Sequence, residues 1–224
     1  LEERYILDEH KDDYKVSLSD DEEKSIEDVA KKFTDSNDSA AKDAVSGDEK
    51  TVKKVLELLT LQKKMETAMT ADVDTNVSDE EAAQKKMQYV LFSTKTTGSD
   101  GKSTDMSDDE KAEVKKKAED FQKNAASAED FSVFATAVGA SATDLTFDSD
   151  TTSPNEDLIK AADKLKEGEV TDLIDGDSSY FVARLDKEVD EDATEETRQS
   201  IIEQRKDDLY DETLDGWKEG IEWA

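Results

Sequence analysis

The stretch DLIKAADKLKEGEVTDLIDGDSSYFVARLDK, residues 157–187, decides how the middle of this chain folds. Its first part spaces apolar residues as one face of a helix does, at Leu158, Ile159, Ala162 and Leu165. Two strand-like runs follow at 169–175 and 179–185, and the Gly-Asp pair between them is typical of a tight turn. The stretch therefore predicts a helix that is followed by an antiparallel hairpin.

Strands are few outside this stretch. The apolar run at 87–94 ends in a Gly/Ser/Asp loop and predicts a strand, and residues 144–147 predict a weaker one. Helical periodicity dominates elsewhere. The helix predicted at 48–70 is apolar on more than one side and should be buried there, and a last helix is predicted from about Thr194 onward.

Helix starts are marked by pairs that fit a capping box, in which a Ser or Thr hydroxyl and an acid three residues later satisfy each other's backbone N–H groups. The pairs are Ser19 with Glu22, Ser46 with Glu49, Ser78 with Glu81, Ser107 with Glu110, Ser127 with Asp130, and Ser153 with Glu156. Pro154 is predicted at the first helical position after Ser153, where a missing N–H costs nothing. Some of the acidic residues of the chain are therefore explained by their positions at helix starts.

The overall charge limits the partners. The 224 residues include 60 acidic and 30 basic ones, a formal net charge of −30, which repels nucleic acid and anionic lipid. The absence of cysteine excludes disulfides and thiol chemistry. No apolar run approaches the roughly 20 residues that a membrane helix needs. The chain begins LEERYIL without methionine, which favours a trimmed or mature piece whose targeting segment is missing.

Two composition changes suggest domain boundaries. One falls near residue 83, and the other is the polar stretch DKEVDEDAT at 186–194. We predict a mixed domain at 83–187 that is inserted into an all-helical domain built from residues 1–82 plus 188–224.

The order of elements in the middle resembles the parvulin family of peptidyl-prolyl isomerases. Parvulins open with a strand that carries H-I-L, continue with a helix of the form F-x-x-A-x-x-L-x-x-G-E-x-S, and close with a hairpin that carries G-Y-H-I-I. The similar segments here are QYVLF at 88–92, LIKAADKLKEGEVTDLI at 158–174 and SYFVARLDK at 179–187, and EDFSVFATAVGAS at 129–141 resembles a further family helix. With helical flanks, the layout resembles extracytoplasmic foldases of the PrsA and SurA type.

The resemblance implies positions for a catalytic site. The two family histidines fall on Tyr89 and Tyr180, and a third polar group falls near Ser141. Leu158 and Phe134 are expected to bind the substrate proline. The chain has one histidine, His10, which is expected to be exposed at a helix end. We therefore expect the two tyrosines to form a structural hydroxyl pair and isomerase activity to be weak or lost.

The resemblance also implies a function. It predicts an α+β foldase or chaperone in which a parvulin-like small antiparallel sheet with surrounding helices sits inside an all-helical domain. Unfolded or newly secreted proteins would be its clients, and the location would be extracytoplasmic, as a bacterial surface lipoprotein held by an anchor outside this chain. No cofactor or metal is implied, and homodimerisation through the helix at 48–70 stays open.

Two alternatives remain. The first is an active isomerase that uses Tyr89, Tyr180 and Ser141. The second is an acidic calcium-binding surface protein, because DVDTNVSDEEAA at 72–83 starts like a calcium loop. That loop lacks the glycine at its sixth position and the glutamate at its twelfth, so a linker that leads into a capping box is the favoured interpretation.

Overall fold

The computed structural model of the chain describes residues 2–98 and 101–219, apart from the side chains at positions 41 and 43. The helices of this part are α1 Glu2–His10, α2 Asp20–Ser36, α3 Ser39–Ala44, α4 Glu49–Met69, α5 Asp79–Ala82, α6 Asp108–Ala125, α7 Phe131–Ala137, α8 Glu156–Ala162 and α9 Glu191–Lys218. The strands are β1 Lys85–Ser93, β2 Lys95–Thr97, β3 Ser103–Asp105, β4 Ala142–Phe147, β5 Ile174–Gly176 and β6 Ser179–Lys187. The α+β prediction is confirmed.

The elements group into two compact units. One unit contains the residues up to Asn76 together with those from Ile201 onward, and the other contains Val77–Ser200. The division falls at 76/77 and 200/201, whereas the sequence placed the domain boundaries at 82/83 and 187/188. Helix α9 contributes its first part to the second unit and its later part to the first.

The first unit has a helical core. Helix α4 buries Leu58, Leu61, Met65 and Met69, which recur at the spacing of one helix face. Ile6 and Leu7 of α1 and Leu214 of α9 belong to this core. Val55 and Leu59 of α4 are 37% and 40% exposed. The prediction that this helix is buried on more than one side is therefore wrong.

The single histidine also lies in this unit. The ring of His10 stacks on Trp217 with a centroid distance of 4.0 Å, and its Nδ1 lies 2.9 Å from a carboxylate oxygen of Asp13. The expectation of a plainly exposed histidine is wrong, because an aromatic ring covers one of its faces. Trp217 is partly buried and packs against the core of this unit, and Trp223 lies outside the described residues.

The second unit is built on a four-stranded antiparallel sheet in the order β4-β1-β6-β5. Strand β1 lies between β4 and β6, with Tyr89 opposite Thr143 on one side and Ala183 on the other. The predicted hairpin is present as β5 and β6, but β5 is shorter than the predicted strand at 169–175, and Gly176 ends β5 so that the turn lies at 177–178. A small separate hairpin, β2–β3, occupies the loop after β1 and was not predicted, because all of its residues are exposed and show no apolar alternation.

The sheet has two covered faces. On the α8 face, Met87, Phe181, Ala183 and Leu185 pack against Leu158, Ile159 and Ala162 of helix α8. On the α6–α7 face, Val90, Phe92 and Val182 pack against Ala118, Phe121 and Ala125 of α6 and Phe131 and Ala135 of α7. Successive side chains of a strand point to opposite faces, so odd-numbered residues of β1 and β6 belong to the first face and even-numbered ones to the second.

Half of the predicted helix caps are confirmed. Capping boxes are present at Ser19, Ser78 and Ser107, each with its predicted glutamate. In the other three cases a different residue caps the helix: Asp48 for α4, Asp130 for α7 and Asn155 for α8. Asp and Asn oxygens cap helices as well as Ser does, and in these sequences they stand closer to the first helical turn. Pro154 therefore precedes the N-cap of α8 and is not its first helical residue.

The second unit is closed by contacts between its two chain ends. The backbone N–H of Gln84 donates to Thr194 Oγ1 at 3.0 Å, and the N–H of Asp190 donates to the Gln84 carbonyl at 2.7 Å. The Arg198 guanidinium donates to the Val77 carbonyl and to Asp79. These bonds tie the start of α9 to the segment before β1, which explains why both belong to this unit.

Candidate functional site

Tyr89 lies in the middle of β1 on the α8 face. Its side chain is half-buried against the core of this face, and its ring centroid lies 6.4 Å from that of Phe181 in a tilted arrangement. This distance is within the range of favourable aromatic pairs. At the position where the family resemblance implies a first histidine, this chain therefore has Tyr89, which forms an aromatic pair with Phe181.

Tyr180 lies on the other side of the sheet. It is opposite Phe92 in the β1–β6 ladder and packs against the core of the α6–α7 face, with the Lys115 ammonium 6.0 Å from its ring centroid. Tyr89 and Tyr180 are thus separated by the sheet. The prediction of a hydroxyl pair is wrong, because the side chains of Tyr89 and Tyr180 point to opposite faces of the sheet.

The motif itself gives a better correspondence. When SYFVA at 179–183 is matched to G-Y-H-I-I letter by letter, Tyr180 takes the place of the family tyrosine and Phe181 that of the histidine. Tyr89 and Phe181 then share one face, as two residues of one site must. The alternation of strand side chains could have shown this from the sequence.

Leu158 and Phe134 are also separated by the sheet. Leu158 is fully buried in the core of the α8 face, whereas Phe134 lies on the α6–α7 face and stacks on Phe121 at a centroid distance of 5.1 Å. The structure does not bring these two predicted substrate-binding residues together. A fully buried Leu158 also leaves no open proline pocket at its own side chain.

Ser141 is exposed and directly precedes β4. The first pairs of that strand set Ala142 opposite Val90 and Thr143 opposite Tyr89. Ser141 is therefore near the end of β1 at the edge of the sheet, and of the two tyrosines only Tyr89 lies on a strand paired with β4.

An apolar groove lies on the outer side of the α6–α7 face. It has a volume of about 480 Å³ and is lined by Phe121, Phe134, Val138, Glu113, Lys116, Lys117, Asp120 and Asn124. Its floor is the stacked pair of Phe121 and Phe134. The one feature here that sequence reasoning had singled out is Phe134, which it placed in a different pocket.

Several carboxyl groups at helix starts have lowered pKa values. A hydrogen bond from Lys64, with one from the Ser19 backbone, lowers the pKa of Glu22 to about 2. The Ser107 hydroxyl and N–H likewise lower the pKa of Glu110, and Thr51 lowers that of Asp48. These shifts stabilise ionised caps, and none of the three groups lies on the α8 face.

No metal site is present in residues 2–98 and 101–219, which contain no cluster of three or more potential ligands. In the calcium-like segment, Asp74 Oδ1 accepts the N–H of Asn76, and Ser78 and Glu81 form the capping box of α5. Among the described helices, none is long and apolar enough to span a membrane.

The sheet with its flanking helices defines a parvulin-like α+β module, and comparison with known proteins identifies it more closely. Residues 96–199 match the model of the PPIC-type PPIase domain family. This part of the chain is therefore similar to a parvulin-type domain, as the motifs predicted. The match includes Phe134, Ser141, Leu158 and Tyr180 and begins after Tyr89.

Solved structures of PrsA proteins are similar over almost the whole chain. The foldase protein PrsA from Streptococcus pneumoniae is 18% identical, with 99% of this chain and 82% of that chain covered and a TM-score of 0.36. The peptidylprolyl isomerase PrsA from Bacillus cereus is 19% identical, with 99% and 80% covered and a TM-score of 0.40. The Bacillus anthracis protein is 20% identical, with 99% and 96% covered and a TM-score of 0.30. A search of curated proteins finds no match.

Proposed function

We propose that this chain is an extracytoplasmic protein-folding factor whose parvulin-type domain holds unfolded client segments and has little or no isomerase activity. The observation that carries the proposal is the Tyr89–Phe181 pair on the α8 face, where the family motifs imply two histidines. The location, a lipid anchor outside this chain and protein clients are proposed from the same motif resemblance.

The chemistry of amide rotation supports a loss of activity. The barrier is about 18–20 kcal/mol, and a catalyst must bind the twisted amide better than either planar form. Polar groups aimed at the carbonyl or nitrogen of the rotating bond are a main source of such binding. The aromatic pair offers one hydroxyl, from Tyr89, because Phe181 has neither donor nor acceptor.

The substrate pocket is also closed at Leu158. This side chain is 0% exposed and packs with Phe181 in the core of the α8 face. A proline ring could contact it only after the core had opened. The α8 face therefore supports packing better than it supports catalysis.

A holding function agrees with the surface of the chain. A net charge of −30 keeps the protein soluble and keeps its copies apart while it binds apolar segments. The apolar groove on the α6–α7 face provides a surface of the kind that a client side chain would occupy.

An aggregation assay tests the proposed function. The whole chain, at several-fold excess over reduced and unfolded α-lactalbumin, should slow the rise of light scattering, and an equally acidic protein without apolar grooves should not. Failure to slow the aggregation of this and a second unfolded substrate would remove the holding function.

A protease-coupled prolyl-peptide assay tests the alternative of an active isomerase. That alternative needs Tyr89, Tyr180 and Ser141 to act together, and the sheet separates the two tyrosines. We expect no acceleration above the uncatalysed rate. A clear acceleration that Tyr180→Ala and Ser141→Ala each abolish would establish the alternative instead.

Calorimetry with millimolar calcium tests the alternative of a calcium-binding surface protein. A calcium-binding surface protein would show stoichiometric heat, and a folding factor would show none.

A further inference from the structure

The groove between α6 and α7 combines an apolar floor with a charged edge. Phe121 and Phe134 stack at 5.1 Å, and Val138 extends this floor along α7. Phe134 and Val138 are only partly buried and form the accessible part of this floor, whereas Phe121 is 2% exposed. The groove volume of about 480 Å³ lies within the range of pockets that bind small ligands, and so is large enough for an apolar side chain.

The edge that α6 contributes has an unusual arrangement of charges. Glu113, Lys116, Lys117 and Asp120 follow one another at helical spacing, at which opposite charges ordinarily pair. In the described part of the chain, no ion pair or hydrogen bond joins these four side chains. The Lys117 ammonium instead extends toward the end of α7, where its Nζ lies 4.0 Å from the place a Cβ on Gly139 would take.

Within the described residues, the two lysines therefore lie beside the apolar floor and form no ion pair with a carboxylate. The two acids stand one turn away in either direction along α6. An incoming carboxylate would meet the lysines in the middle of the edge, whereas a longer run of acids would also meet Glu113 and Asp120. The charge pattern fits one negative group flanked by neutral or basic ones.

We propose that this groove binds an unfolded client segment in which a large apolar side chain stands next to a single aspartate or glutamate. The apolar side chain packs on Phe134 and Val138, and the carboxylate pairs with Lys116 and Lys117. The inference rests on the proposed function, since it names the clients that the chain holds. It assigns client binding to the side of the sheet opposite Tyr89 and Phe181.

Titration of the uniformly ¹⁵N-labelled whole chain with two peptides tests this assignment. One is the acetylated, amidated hexapeptide Gly-Ser-Phe-Glu-Ser-Gly, and the other has Lys in place of Glu. Amide shifts should concentrate in residues 113–124 and 131–139. The Glu peptide should bind about two- to fivefold more tightly, which is the contribution of one exposed ion pair.

A charge reversal with a matched control sharpens the test. Lys117→Glu should reverse the preference between the two peptides, and Lys117→Gln should abolish it. Lys123→Glu makes the same change of charge on the same helix at an exposed position outside the groove lining, and should leave the preference unchanged.

The outcomes separate this inference from the proposed function. Shifts elsewhere on the chain, no binding, or a preference that survives Lys117→Glu would overturn the groove assignment, even if the unchanged chain still slows aggregation. If the unchanged chain failed to slow aggregation, the proposed function would be overturned, whether or not the peptides bind at the groove.

Discussion

Replacing Leu158 with alanine distinguishes a packed core from a substrate pocket. Leu158 is 0% exposed and belongs to the cluster that joins α8 to the sheet. The substitution removes three buried carbons, which costs about 2.5 kcal/mol at roughly 0.8 kcal/mol for each carbon. The cavity that remains brings the total loss in the free energy of unfolding to about 3–4 kcal/mol, within the range of buried Leu→Ala substitutions.

A loss of this size should be visible as a lower melting temperature. For a unit of this size we expect a decrease of roughly 10 °C in the melting of the sheet, followed by near-ultraviolet circular dichroism or amide exchange in β1 and β6. Leu91→Ala is the control, because Leu91 belongs to β1 of the same sheet and is 46% exposed, and this substitution should change the melting temperature by only a few degrees.

The outcome that refutes this reasoning is equally specific. If Leu158→Ala left the melting temperature unchanged and removed client holding, Leu158 would be a pocket residue that clients contact. The assignment of the α8 face to packing would then be wrong.

Three further predictions concern local structure. Ser107→Ala, which removes the capping box of α6, should cost about 1 kcal/mol, measured by urea unfolding, and Ser103→Ala in the exposed β3 should cost much less. Gly168→Ala places a Cβ at a φ of +84° and should lower the free energy of unfolding by roughly 1–2 kcal/mol. Gly216→Ala lies inside α9, with no atom within 4 Å of the new Cβ, and should raise it. A change of the same sign in both variants would contradict this account. The pKa of Glu22 is lowered from 4.5 to about 2, so the stability it contributes is complete above pH 4.5 and is lost as the pH falls toward 2. Urea midpoints followed by tryptophan fluorescence should fall less between pH 4.5 and 2 in Glu22→Gln than in the unchanged chain, and an equal fall in both would contradict the assignment.

Much of the fold follows from local patterns. Apolar periodicity located α4, α8 and the hairpin of β5 and β6 because each buries one continuous face. Capping boxes marked the starts of α2, α5 and α6. Where an Asp or Asn lies nearer the first turn, as Asp48 does, that residue caps the helix and the predicted Ser does not.

The candidate site was predicted less well, because it depends on which face of the sheet each side chain occupies. The family resemblance was taken to place the second histidine at Tyr180, whereas the ladder sets Phe181 on the same face as Tyr89. Phe134 and Leu158 were grouped although different helices hold them against opposite faces. The α6–α7 groove could not be predicted, since it arises from contacts between helices that sequence spacing does not specify.

The proposal that the parvulin-type domain holds clients without isomerising them is tested most directly by exchange spectroscopy on a peptide that contains one Phe-Pro bond. The whole chain is added, and the cis and trans resonances of the peptide are followed. We predict that the resonances broaden or shift on binding while the rate of cis–trans exchange stays at the uncatalysed value. Exchange that accelerates with the concentration of the chain would contradict the central claim, and a return to the uncatalysed rate in Tyr89→Ala would assign that activity to the α8 face.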